Sequence, residues 1–293
     1  MAFDSMAAWN RAIDWARTNA SVLVPIAGIF VLIPTLVFAW FNTDLQVQLE
    51  AAAAASKPGA PNWAILPLFG KLMLVVLIMS FVQMIGTMAM LSLFADKARP
   101  TVGEALGNAF RSLPTAIAAS LLMMAGLVLF FVPALIVATL VTMLLGLVTG
   151  PAVGGMIGAV VVLALLVMVF VRFVLVTPVI VLDRIANPIE ALKRSWAMTK
   201  GNAGRIAFFL IVLGMGYAVI MLLAQAVAGV ALGVGALADA KALAAASIVT
   251  KLVVGMLQGV LGCAASIVFT GVTAAMHEQL SGTAAPAVRD TFA

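Results

Sequence analysis

Six long runs that are nearly free of charge constrain this chain more than any other feature. They fall at roughly 20–41, 64–94, 115–146, 156–182, 205–235 and 247–276. About 20 apolar residues in a helix cross a hydrocarbon layer roughly 30 Å thick. Backbone polar groups surrounded by lipid must be satisfied within the protein, so only helices and closed barrels span a bilayer. Barrel strands alternate apolar and polar residues over roughly ten positions, whereas these runs are continuous and rich in Ala, Leu, Val, Met and Gly. The chain is 65% hydrophobic and 9% charged, against about 25% charged in soluble domains. One water-soluble core cannot hide that much apolar surface. The sequence therefore predicts an all-α integral membrane protein with six transmembrane helices. Several runs exceed one crossing and are expected to tilt or project from the membrane. Between the third and fourth runs, Gly146-Leu-Val-Thr-Gly150-Pro151-Ala-Val-Gly154-Gly155 carries no charge and reads as a tight apolar turn between two spans.

Lys and Arg set the orientation. Arg11, Arg17, Lys97, Arg99, Arg111, Arg184, Lys193, Arg194, Lys200, Arg205 and Arg289 fall on one side, and only Lys57 and Lys241 on the other. By the positive-inside rule this bias puts both termini in the cytoplasm. The first run lacks a small-residue cleavage site and reads as a retained signal anchor. The net charge of +5 is spread over segments that border anionic headgroups and is not a nucleic-acid signal. Cys263 is the single cysteine, so neither an internal disulfide nor a thiolate cluster is available.

Two of the basic segments resemble one another. Pro100 to Pro114 contains Glu104-Ala105-Leu106 and then Phe110; Asn187 to Lys200 contains Glu190-Ala191-Leu192 and then Trp196. In both, an aromatic follows the Glu by six positions and an apolar run comes next. Ala8 to Asn19 has the same character with weaker identity. The chain thus reads as three hairpin units, about 1–95, 96–182 and 183–279, with a short tail 280–293. Each unit is an interfacial amphipathic helix followed by a pair of spans. In the third unit Ile189, Leu192 and Trp196 share one helical face, expected to lie down on the membrane. Pro188 suits the first helical turn, Glu190 complements the helix dipole, and Gly201 can end the helix in a left-handed conformation. Trp9, Trp15, Trp63 and Trp196 lie near span ends, as interfacial rings do.

From Arg172 to Asn202, an apolar span carrying Arg172, then Pro178, Asp183 and Pro188-Ile-Glu190-Ala-Leu-Lys-Arg-Ser-Trp196, closes on Lys200-Gly201. This pattern resembles the glycerophosphoryl diester phosphodiesterase membrane-domain family. The resemblance implies a six-span module of the bacterial inner membrane, tied to lipid or envelope processes. It does not imply catalysis, because no soluble phosphodiesterase stretch accompanies it in this sequence.

Among polar residues, Arg172 stands out, since a charge at depth in a span costs about 2.5–3.5 kcal/mol and normally faces protein or water. Three readings stay open: an ion pair with Glu104 or Glu190, an anion site for a lipid phosphate, and snorkelling toward the basic side. Lys193 and Arg194 are the other candidate ligand-binding residues. Asp183, Glu104, Glu190, Trp196, Pro188 and Gly201 read as structural. Lys71 and Lys251 read as snorkelling, and Gln83, Gln225 and Gln258 as interhelical hydrogen bonders. Gly229 and Gly233 read as packing positions. His277 and Glu278 do not supply the three or four ligands of a zinc site. Gly150 to Gly155 lacks the Lys-Ser/Thr of a phosphate loop, and no metalloprotease, nucleophile-elbow or kinase motif occurs.

The function expected is a non-catalytic inner-membrane module that binds lipid headgroups or a partner protein at the cytoplasmic leaflet. Its partners would be membrane phospholipids and a further membrane protein, with no nucleic acid and no cofactor or metal. The alternatives are a transporter or lipid-translocating protein with an anion site at Arg172, and an intramembrane enzyme acting on a lipid headgroup. Few charges in the spans and no pair of discontinuous helices weigh against transport.

Overall fold

A computed structural model describes residues 3–54, 63, 65–95, 101–231 and 248–282. The described secondary structure is entirely helical. Six helical stretches are long and apolar enough to cross a membrane: Ala20–Phe41, Ile65–Phe94, Val102–Leu144, Ala152–Leu182, Ala203–Val230 and Val249–Leu280. Lys57, Lys97, Arg99, Arg289, Lys241, Gly233 and the tail beyond residue 282 lie outside the described residues.

The chain begins with α1 (Ser5–Thr18). The first span follows as α2 (Ala20–Ala27), a π-helical turn (Gly28–Leu32) and α3 (Ile33–Ala54). α4 (Ile65–Ala95) is the second span and α5 (Val102–Thr149) the third. α6 (Pro151–Phe173) and α7 (Val176–Leu182) form the fourth. A short helix, α8 (Pro188–Thr199), precedes the fifth and sixth spans, α9 (Ala203–Ala231) and α10 (Ile248–Leu280).

Prolines explain where the spans depart from regular helix. Pro178 cannot donate to the carbonyl of Val174, four residues back, and its ring crowds it; the fourth span breaks at Val174–Leu175. Pro34 bears the same relation to Phe30, and the π turn lies just ahead of it. The first span thus stays helical through a π turn, and the fourth is broken. Pro114, by contrast, leaves α5 unbroken, so 102–114 forms the first turns of the third span and not a separate interfacial helix.

The apolar turn predicted between the third and fourth spans is Gly150 alone, with φ +92°, a conformation open to glycine. The two helices then pack closely. A methyl group on Gly154 would lie 2.7 Å from the Thr142 carbonyl oxygen and 2.9 Å from Gly146 Cα.

Burial concentrates at the end of the bundle that carries the charges. Leu23, Ile26, Met88, Leu91, Ala105, Ala109, Val179, Ile180, Ala191 and Ala274 form a core there. The other halves of the spans expose side chains such as Leu129, Met143, Met156 and Val230, the last at 86%, as lipid-facing residues do. Within the core, the first span is wedged between α4 and α10. A methyl on Gly86 would overlap Phe30 Cβ, and one on Gly259 would overlap Leu32. Cys263 donates its thiol to the Ala27 carbonyl at 3.3 Å, just before the π turn. Trp15 is buried against Phe94, ring centroids 5.4 Å apart, and against Gly271. It is a core residue and not the interfacial one its position suggested. α1 therefore docks onto protein through Ala8, Ala12 and Trp15.

Gly86→Ala should lower the melting temperature in detergent, because Phe30 Cβ is fixed to the backbone and overpacking costs about 1–3 kcal/mol. Gly126→Ala, where a methyl meets open space, should cause no loss. Equal melting of the Gly86 variant and the wild type would rule out the wedge.

Candidate functional site at the charged end of the bundle

Three helices enter this end with one local pattern. Asp4 caps α1 by accepting from the Met6 and Ala7 amides. Thr101 caps α5 in a reciprocal capping box with Glu104, and Asn187 caps α8 by accepting from the Ile189 and Glu190 amides. A side-chain oxygen at each start satisfies amides that the helix cannot. Four and eight residues after the cap come Ala8 and Ala12, Ala105 and Ala109, and Ala191 and Ser195, all of them fully buried. Small side chains let each helix seat closely on the bundle. In α8 the buried stripe is Ala191, Ser195 and Thr199. Of the apolar face expected to lie on the membrane, Ile189 is exposed, Trp196 is partly exposed and also packs on Phe173, and Leu192 packs against the core.

One carboxylate joins the pieces. Asp183, at the end of α7, accepts from Arg194 Nε on α8 at 2.6 Å and lies 3.1 Å from His277 Nε2 on α10. The His277 side chain is only 5% exposed; Arg194 is about half exposed. Arg11 on α1 pairs with Glu278 on α10 at 3.2 Å. The Asp4 amide donates to Gln279 at 3.2 Å, and the Phe3 amide donates to Asn202 at 3.0 Å. The N-terminal helix, the fourth span, α8 and the last turn of the sixth span are thus tied by side-chain bonds.

Arg172 sits in the last turn of α6, directly before the break. Its carbonyl accepts from the buried Ser195 hydroxyl at 2.8 Å, a partner for a helix end short of donors. Its guanidinium lies 4.8 Å from the Trp196 ring centroid, within cation–π range. Phe173 packs on the same ring at 5.7 Å. Nε and Nη1 are buried and find no acceptor among the described residues. The expected ion pair with Glu104 or Glu190 does not form: Glu104 is occupied by its capping box, and Glu190 is exposed at the start of α8.

The chain matches the model of the membrane domain of glycerophosphoryl diester phosphodiesterase over residues 62–287. It belongs to that family. No curated protein and no solved structure matches it significantly. Within this membrane domain the matched range contains Arg172, Asp183, the whole of α8 and His277. α1 and the first span lie ahead of it.

The structure divides the residues singled out from the sequence. Arg172 and Trp196 meet, and Arg194 meets Asp183. Lys193 is exposed and belongs to neither pair. Pro188 is the first residue of α8, and Gly201 ends the turn after it with φ +84°. Ser195 and His277 are the partners that sequence reasoning missed. His277 lies 94 positions from Asp183, and no spacing rule links them. Ser195 was legible only as a small residue four after Ala191. Among the described residues no group of three His, Cys, Asp or Glu is placed to hold a metal ion.

Asp183→Asn should destabilise the protein in detergent by about 1–3 kcal/mol, because the buried His277 and the Arg194 fork lose a charged acceptor. A double-mutant cycle with Arg194→Ala should give a non-additive loss. Additive losses would show that the Asp183–Arg194 pair is not coupled.

Proposed function

We propose that this multi-pass membrane domain is a non-catalytic module that binds phospholipid headgroups with its charged end, in the inner membrane with both termini in the cytoplasm. The observation that carries this reading is the allocation of charge. Asp183 and Glu278 are held in ion pairs, and Asp4 and Glu104 in helix caps. Asp14 and Glu190 are exposed and form no ion pair with a described residue, against the exposed Arg17, Lys193, Lys200 and Arg205, which form none either. The end therefore presents an excess of uncommitted positive charge beside the exposed Ile189 and the partly exposed Trp196. That combination suits an anionic membrane surface, where each nearby cation contributes roughly 1 kcal/mol. The three capped helices support a further part of the reading, that the chain is built from three related units.

The interrupted fourth span favours a second reading. A helix break beside an arginine with unpartnered buried nitrogens is a feature of sites that handle anions within membranes, so lipid translocation is the alternative. One set of proteoliposomes separates the two. The headgroup-binding module should melt higher in phosphatidylglycerol than in phosphatidylcholine, with the difference shrinking at high salt, and should scramble no fluorescent lipid. Arg172→Ala should lower the melting temperature, and Arg172→Lys should restore it in part, because lysine keeps the charge and loses the planar stack on Trp196. Scrambling that Arg172→Ala abolishes would replace the first reading with the second.

Orientation is tested separately. A cysteine at Ser56, between the first two spans, should react with an impermeant thiol reagent applied to intact spheroplasts. One at the exposed Lys193 should react only after permeabilisation. The reverse pattern would place the basic end outside.

A further inference from the structure

A cavity of about 240 Å³ lies between α4, α5, α7 and the α7–α8 loop. Its polar lining is Ser92, Asn108, Arg111, Ser112, Thr115 and Arg184, and the remainder of its wall is aliphatic. None of the residues lining it is acidic. The neighbouring carboxylate, Asp183, is already engaged by Arg194 and His277. Neither Arg111 nor Arg184 forms an ion pair with a described residue. Arg111 and Arg184, both exposed, thus line one cavity from separate segments with no acidic residue beside them, and guanidinium forks match the oxygens of a phosphate group.

The backbone gives a second observation. Arg184 has φ +54° and is the one non-glycine residue with positive φ among those described. A side-chain-bearing residue is disfavoured there, and glycine would adopt the conformation freely. The loop is held in this shape from both ends. Thr115 donates its hydroxyl to the Ala186 carbonyl at 3.1 Å, and the Asp183 side chain is bound on the other side. The strained position thus keeps Arg184 among the residues that line the cavity. The volume lies below the roughly 300–1,000 Å³ of sites for drug-sized ligands. It suits a phosphate with a small substituent, with acyl chains left outside along the exposed Leu121 and Leu122 face of α5.

We propose that the Arg111–Arg184 cavity is a phosphate site that takes the headgroup of a membrane phospholipid. This deepens the headgroup-binding reading and rests on it only for the source of the phosphate. The test is thermal melting of the full chain in detergent, titrated with dioctanoyl phosphatidic acid, dioctanoylglycerol or inorganic phosphate. Phosphatidic acid should raise the melting temperature saturably. Dioctanoylglycerol, which has the same chains without the phosphate, should not, and inorganic phosphate should act only at far higher concentration. Arg184→Gly and Arg111→Gln should each weaken the phosphatidic acid titration about tenfold or more. The ligand-free Arg184→Gly protein should melt at or above the wild type, because glycine relieves the positive φ, so weaker binding cannot be ascribed to unfolding. Unchanged binding by both variants, or an equal shift from dioctanoylglycerol, would overturn the site. An equal shift from inorganic phosphate would overturn the lipid as its source. Loss of the site with the phosphatidylglycerol preference intact would leave the broader headgroup reading standing.

Discussion

Cohesion at the charged end is the constraint on which the rest of this structure depends. In hydrocarbon, lipid chains are as apolar as leucine, so helices gain little by burying apolar surface against one another. What holds them is close contact between small residues and polar bonds that have no better partner elsewhere. Both are concentrated at one end of this bundle. Gly86 and Gly259 admit the first span between the second and sixth. Ala105, Ala109, Ala191 and Ser195 seat α5 and α8. The opposite halves of the spans show large side chains outward and contribute mainly length.

The loop after the fourth span is where the polar bonds converge. Asp183 is bound from α8 and from α10, Thr115 holds the Ala186 carbonyl from α5, and Asn187 starts α8. A short loop fixed from three helices can hold Arg184 in a conformation that a free loop would abandon. The same fixation orients α8, so that its small stripe faces the protein and its Trp196 ring turns to Arg172. The helix break at Val174–Leu175 and the α8 contact are therefore two sides of one arrangement: Pro178 disrupts the helix, and Ser195 supplies a donor to the Arg172 carbonyl there.

Charge is distributed between structure and surface accordingly. Carboxylates are few, and Asp4, Glu104, Asp183 and Glu278 are spent on caps and ion pairs. Several cations have no such partner among the described residues. In this membrane domain of the glycerophosphoryl diester phosphodiesterase family, that division is the basis of the proposed binding to phosphate-bearing headgroups.

Much of this architecture was legible in residue order alone. Hydropathy is local, so six apolar runs specified six spanning helices, and the Gly150 turn, the Pro188 start and the Gly201 stop followed from the conformational limits of single residues. The family pattern from Arg172 to Asn202 was legible for the same reason. What residue order could not supply was partnership across the bundle. Trp15 near a span end could equally face an interface or a core, and only the approach of Phe94 and Gly271 decided it. Arg172 could have paired with Glu104, Glu190 or an anion; the position of α8 gave its guanidinium the Trp196 ring. Asp183 meets His277, and Arg184 and Arg111 line one cavity, only because of how separate helices pack. Sequence by itself determined which segments cross the membrane, through the energetics of burying each in lipid. Tertiary structure decided which polar groups meet, because those contacts depend on how the helices pack.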